Sequence, residues 1–267
     1  MKKEVFYIFF SLVILNACKE DEDREISTDL PTETSQLFIV SNAWSEALFF
    51  TQISFDQYSK VDSLELPGCP EILVDKNAKR VTLTFDPITT CELTGKSKRS
   101  GKLILNLAQS DSENPIWFLE YENYTFEDAS IKGIRTFKKN SSGVVNETFA
   151  TLTHKSKNQL THQFSGNLTH TLSLESGIVV GVNSKGMING KNPSGRNFIF
   201  EFNENRKLLF SCFQENRLLP VAGKEIWKVS RSETSQVIHR LSYELKENCK
   251  VEAYVVLSDG RRLLLNP

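Results

Sequence analysis

The chain has 267 residues, of which 39% are hydrophobic and 24% charged, and its 32 Lys and Arg stand against 33 Asp and Glu. That length suffices for one large domain or two small ones. The near-neutral balance argues against nucleic acid as a partner, because phosphate backbones demand a clustered basic surface.

Lys2 and Lys3 precede an apolar run from Val5 to Leu15, broken only by Ser11. At about eleven residues it is too short to span a ~30 Å hydrocarbon core as a helix, and it reads as part of an export signal over residues 1–17. Leu15-Asn16-Ala17-Cys18 follows. This stretch resembles the lipobox of bacterial lipoproteins, which implies cleavage after Ala17, acylation of Cys18, and a membrane partner reached through the lipid. Each buried CH2 contributes ~0.8 kcal/mol, so several acyl chains on one cysteine hold stably where a single chain is marginal. Next come Lys19, Glu20, Asp21, Glu22 and Asp23. A lysine followed by acids at this place resembles the surface-export signal of Bacteroidetes lipoproteins and implies an outer-membrane protein exposed on the cell surface. Residues 18–35, acidic and then rich in Ser, Thr and Pro, have the composition of a disordered tether.

A single ectodomain is expected over 36–267. From Gln36 to about Gln57 the spacing of Leu37, Val40, Trp44, Ala47 and Phe50 predicts an amphipathic helix, closed off by Pro67-Gly68. Beyond it, Val81, Leu83 and Phe85, then Leu103, Leu105 and Leu107, alternate as half-buried strands do. A turn at Glu127-Asp128 would set Tyr124 opposite Ile131, Glu120 opposite Arg135 and Phe118 opposite Phe137, each a sensible cross-strand pair. From Leu160 to Leu174 the alternation runs unbroken through Ser165-Gly166-Asn167, which favours one long strand over a hairpin. Gly101, Gly133, Gly166, Gly190 and Gly223 recur at intervals of about 24–33 residues, a degenerate repeat of long hairpins with glycine admitting bends. Val251 to Leu257 and Leu263 to Leu265, around Asp259-Gly260, form a last hairpin. The fold class is mainly β (α+β): an N-terminal helix packed on a long, twisted, mostly antiparallel sheet.

Four cysteines remain beyond Cys18, an even count suited to disulfides in an oxidising compartment. Their spacing groups Cys69 with Cys91 and Cys212 with Cys249, out of three possible connectivities. A zinc site is the rival, but no C-x-x-C occurs, and no metal or cofactor is expected.

Several stretches together resemble an uncharacterised family of Bacteroidetes cell-surface lipoproteins with long repetitive β-strands. They are Cys69-Pro70-Glu71-Ile72-Leu73-Val74-Asp75, Val81-Thr82-Leu83-Thr84-Phe85, Cys91, Arg99-Ser100-Gly101-Lys102-Leu103-Ile104 and Tyr121 to Gly133. Ile188-Asn189-Gly190, Ser194-Gly195-Arg196, Cys212, Val221-Ala222-Gly223 and Cys249 continue the series in order, over roughly residues 69–265. The family pattern has Gly-Asp-Gly before the final cysteine and Asp-Asn after it; here Leu245-Lys246-Glu247-Asn248-Cys249-Lys250 stands instead. The resemblance implies a lipoprotein facing the surface or periplasm and no established reaction.

Candidate chemistry is sparse. On one strand His162 and His170 share a face but lie ~27 Å apart at ~3.4 Å per residue, too far for one ion, and their apolar register favours structural imidazoles. His154 and His239 have no evident partners. Glu120 and Glu122 stand on one side of a strand and could serve glycoside hydrolysis, but an Arg135 neighbour would keep Glu120 ionised where a general acid needs the opposite. No G-x-S-x-G elbow, P-loop or dinucleotide fingerprint occurs. Trp117, Tyr121, Tyr124 and Trp227 suit either a platform for sugar rings or a peptide, or the core, and with 18 phenylalanines the core has the stronger claim. Asp62-Ser63-Leu64 resembles the short O-glycosylation motif of exported Bacteroidetes proteins. The function expected is a non-enzymatic surface module for a glycan, peptide or protein partner. The alternatives are an envelope hydrolase acting on glycans and a purely structural envelope protein.

Overall fold

The structure, a computed structural model, describes residues 29–87, 91, 97–110, 113, 115–214 and 218–266. The expected signal, Cys18, the export residues Lys19 to Asp23 and the start of the tether lie outside the described residues.

Helix α1 spans Leu30–Ser45, with a proline in its first turn and Asp29 as N-cap residue. It starts earlier than the expected Gln36, so residues 30–35 belong to it rather than to the tether. It also stops earlier. A 3-10 turn at Phe50–Gln52 and the short α2, Phe55–Tyr58, follow it. The break has a local cause: Ser54 Oγ accepts from the Gln57 N–H while the Gln57 side chain accepts from the Ser54 N–H, a capping box that restarts the helix.

Thirteen strands follow: β1 Glu71–Asp75, β2 Arg80–Phe85, β3 Arg99–Gln109, β4 Ile116–Phe126, β5 Ala129–Lys139, β6 Val145–Lys155, β7 Thr161–Glu175, β8 Ile178–Lys191 and β9 Asn197–Leu209. After the helical turn α3, Phe210–Gln214, come β10 Ala222–Ser230, β11 Gln236–Leu245, β12 Val251–Val256 and β13 Arg262–Leu264. They form one antiparallel sheet in strict chain order, β1 to β13, as local hairpin connections dictate. The long strand β7 and the closing β12–β13 hairpin are where the alternation placed them.

The sheet must curl. Glu46, just past α1, pairs with Arg99 on β3, while Glu33 in its first turn meets His239 on β11. Eight strand spacings of ~4.8 Å separate β3 from β11 in a flat sheet, about 38 Å, whereas thirteen helical residues advance only about 20 Å. The inner face therefore wraps α1, and Leu37, Val40, Trp44, Ala47, Leu48 and Phe50 are buried against Leu83, Leu105, Leu119, Phe137, Phe202 and Leu208 in one core.

Bulges decide which side chains face inward. The turn at Glu127-Asp128 is present, with Phe126 opposite Ala129, but the register shifts between Tyr121 and Thr125. As a result Leu119, not Glu120, lies opposite Arg135, and Trp117, not Phe118, lies opposite Phe137. Odd positions 117, 119 and 121 point inward before the bulge and Tyr124 after it. Asn123, with φ of 49°, occupies the extra position, and Gly101 with φ of +78° faces it from β3. A Cβ on Gly101 would sit 2.2 Å from the Asn123 carbonyl oxygen, so only glycine fits.

Disulfides join Cys69 to Cys91 and Cys212 to Cys249, as the spacing suggested. The first ties the entry to β1 to the β2–β3 connection; the second ties α3 to the β11–β12 turn. In the chain-entropy account each is worth about 3–4 kcal/mol.

Gly166 on β7 lies under the Phe149 ring, whose Cζ would be 2.2 Å from an added Cβ. Gly166→Ala should therefore cost about 1–3 kcal/mol by overpacking, read by urea denaturation. Much of that loss should return in the double variant with Phe149→Leu, and a cost unchanged by the second substitution would locate the strain elsewhere.

Candidate functional site

Four carboxylates and four arginines lie between α1 and the sheet. Glu33 receives both Arg231 terminal nitrogens at 2.6 and 2.8 Å, with His239 Nε2 at 3.4 Å. Glu225 on β10 accepts from Arg206 Nε (2.9 Å), Ser41 Oγ (3.0 Å), Trp227 Nε1 (2.8 Å) and the Tyr243 hydroxyl (2.7 Å). Glu147 on β6 accepts from Arg135 Nε at 2.6 Å and Trp44 Nε1 at 3.1 Å, and meets His170 Nε2 at 2.8 Å. Glu46 pairs with Arg99 Nε at 3.3 Å, and the Arg99 guanidinium lies over the Phe50 and Phe126 rings.

Burial pushes the Glu147 carboxyl up, but Arg135 and His170 outweigh it and hold the group at about 2. The balance at Glu33 is similar, with His239 and Arg231 overcoming burial to leave about 2. At Glu46 burial wins over Arg99 and the carboxyl is raised.

One part of this array looks catalytic on paper. His170 Nδ1 lies 2.9 Å from Ser184 Oγ and its Nε2 lies on Glu147, a serine–imidazole–carboxylate chain. Nucleophilic attack needs an approach for the substrate, however, and Ser184, His170 and Glu147 are all fully buried. Arg135 and Trp44 also claim Glu147. The chain is a packing network.

A cavity of about 560 Å³ beside α1 is of a different kind. Phe38, Ile39, Asn42 and Ala43 of α1 form one side; the β4–β5 turn with Phe126 and Ala129, the end of β6 with His154 and Ser156, and Leu218, Leu219 and Leu265 form the rest. His154 is 1% exposed, yet neither of its ring nitrogens has a hydrogen-bond partner among the described residues. The same holds for the buried Asn42 Oδ1 and Ser156 Oγ atoms. Buried polar atoms are nearly always satisfied, and three unsatisfied side chains that share one cavity make it the candidate binding place.

A bulge puts His154 there. Phe149 pairs with Gly166 and Leu152 with Phe164, so β6 carries one extra residue between them. Inward positions run 145, 147, 149 before it and 152, 154 after it. His154 then faces His162 across the strand pair with ring centroids 6.0 Å apart, and His162 meets Phe198 edge-on. Burial lowers both imidazoles to about 4, and the proximity of His154 adds to the shift of His162. At the cavity mouth Lys157 is 3.2 Å from Asp128, and Glu127 accepts from Ser97.

The structure separates most of the residues singled out from the sequence. His162 and His170 are both buried but serve different clusters. His154 and His239, which had no evident partners, meet His162 and Glu33 respectively. Glu120 and Glu122 are exposed on the outer face, with Glu122 on Lys102 at 2.9 Å, and Arg135 has gone inside to Glu147. Trp117, Tyr121, Tyr124 and Trp227 are core residues. Ser63 Oγ donates to the Pro70 carbonyl at 2.6 Å, and Leu64 is exposed. No group of three or more His, Cys, Asp or Glu among the described residues is placed to hold a metal ion. The parity switch between Phe149 and Leu152 was readable in the sequence and would have turned His154 inward.

Two outcomes follow from these charges. Arg135→Met should destabilise the fold by about 3–5 kcal/mol, since it strands Glu147 without its cation; calorimetry or denaturant unfolding reads this. The pH dependence has a definite sign. His154 and His162 stay neutral in the fold down to about 4, whereas the unfolded chain protonates them from about 6.5. The unfolded state thus binds more protons, and Tm should fall as pH drops from 6.5 to 4. Glu33 and Glu147 continue the loss from 4.5 toward 2. Glu46 acts oppositely, with a penalty at higher pH that is relieved toward 4.5. Replacing both histidines by Leu should flatten the upper part of the curve; an unchanged slope would assign it to other groups. Set against models of protein families, curated proteins and solved structures, the chain has no match in any of the three.

Proposed function

We propose that this is a lipid-anchored protein of the outer membrane, held through acylated Cys18, displayed at the cell surface, and built as a non-enzymatic binding module. The observation that carries the binding reading is the preformed cavity with buried, unpartnered His154 at its wall. On the inner face Arg135 pairs with Glu147 and Arg206 with Glu225, all four also meeting α1, and Glu120 and Glu122 are outside with Lys102 beside Glu122, which favours binding over glycan hydrolysis. The anchor and the kinship to Bacteroidetes surface lipoproteins rest on Leu15 to Asp23 and on the framework residues from Cys69 to Cys249.

Intact mass spectrometry of protein extracted from its native envelope should find acylated Cys18 as the N-terminus, and protease treatment of whole cells should remove the ectodomain. An unacylated N-terminus overturns the anchor, and protection in whole cells overturns surface display. Turnover of envelope glycans by the purified protein, lost with Glu120→Gln, would replace the binding reading by the hydrolase.

A further inference from the structure

We propose that the cavity beside α1 takes an uncharged amphipathic lipid, with an aliphatic body and a hydroxyl or amide head that meets Asn42 and His154. This rests on the binding reading above and adds the chemistry of the ligand.

The walls set the body. Phe38, Ile39, Phe126, Leu218, Leu219 and Leu265 give an apolar lining, and 560 Å³ falls within the ~300–1,000 Å³ of small-molecule sites. The unsatisfied atoms set the head. A neutral imidazole offers one N–H and one lone pair, the Ser156 hydroxyl donates and accepts, and Asn42 Oδ1 accepts. A flip of the Asn42 amide trades that acceptor for a donor, still without charge. These groups call for a head that both donates and accepts, which a hydroxyl or an amide does.

Charged heads fit worse. A carboxylate or phosphate brings no proton for Asn42 Oδ1 or for the imidazole lone pair, and it must pass Glu127 and Asp128 at the mouth, where Lys157 is already paired. A cationic head finds carboxylates only at that exposed rim, while His154 beside it is kept neutral by burial. The anchor supplies the setting: residues 18 to 29 reach on the order of 40 Å at full extension, which keeps an anchored cavity near the bilayer.

The test uses the full chain carrying Cys18→Ser, purified without detergent, and the fluorescent probe N-phenyl-1-naphthylamine, an uncharged amphipath with an N–H donor. The probe should bind, and Ala129→Trp or Ala43→Leu, both of which fill the cavity, should weaken it tenfold or more. At pH 7.5, 1-decanoylglycerol should displace it at least tenfold better than decanoate or decyltrimethylammonium. His154→Leu should weaken decanoylglycerol about tenfold while leaving Tm unchanged or raised, because an unpartnered buried polar group has gone. No binding by the parent chain, or binding indifferent to both filling variants, overturns the cavity as a ligand site and the binding reading with it; ordered water would then satisfy His154. Binding that responds to the filling variants but favours decanoate equally, or ignores His154→Leu, overturns the head-group assignment alone.

Discussion

The structure depends on taking charge out of water between one helix and a curled sheet. Burying an ion costs several kcal/mol unless its partners are well placed and its remaining lone pairs are met. Glu225 gathers four donors, and Glu147 gathers two with His170 at its other oxygen. Trp44 sits at the centre, donating to Glu147 while the guanidinium groups of Arg135 and Arg206 lie 5.6 and 5.2 Å from its ring. An apolar helix would tolerate sliding along such a surface. Here a shift by one residue would leave several buried charges unmatched, so the network fixes where α1 lies.

The same requirement explains the bends in the strands. A regular strand presents every second residue to one face. A bulge of one residue reverses that parity, as it does after Tyr121 on β4 and after Phe149 on β6, whereas the two extra residues of β9 between Glu201 and Lys207, opposite β10, leave it unchanged. Gly101 and Gly166 are the points at which a neighbour's carbonyl or ring occupies the space of a side chain. The disulfides fasten the entry to the sheet and the α3 region near its far end.

This economy shapes what is left for function. The inner polar groups face one another, and even the Ser184–His170–Glu147 chain is sealed. At the cavity beside α1, His154, Asn42 Oδ1 and Ser156 Oγ are buried without a partner among the described residues and share one space. Glu33, Glu147 and Glu225 each have two or more partners, while these three side chains line one cavity.

The sequence by itself determined the elements whose cause is local. Alternation marked β2, β3, the unbroken β7 and the final hairpin; cysteine spacing marked both bridges; the recurring glycines marked places where a strand could bend. It also carried the anchor-like Leu15 to Cys18 stretch. It did not determine register. Glu120 and Arg135 were matched as if β4 were regular, and one extra residue sent Arg135 inward to Glu147 and left Glu120 in solvent. Nor did it reveal which charges are core. Arg135, Arg206, Glu147 and Glu225 meet groups on α1 that lie 91 to 184 positions away in the chain. Local patterning reports the period of a strand and, as between Phe149 and Leu152, a change of parity, whereas the pairing register and a buried charge's partner are fixed by contacts that exist only once the sheet has closed around the helix.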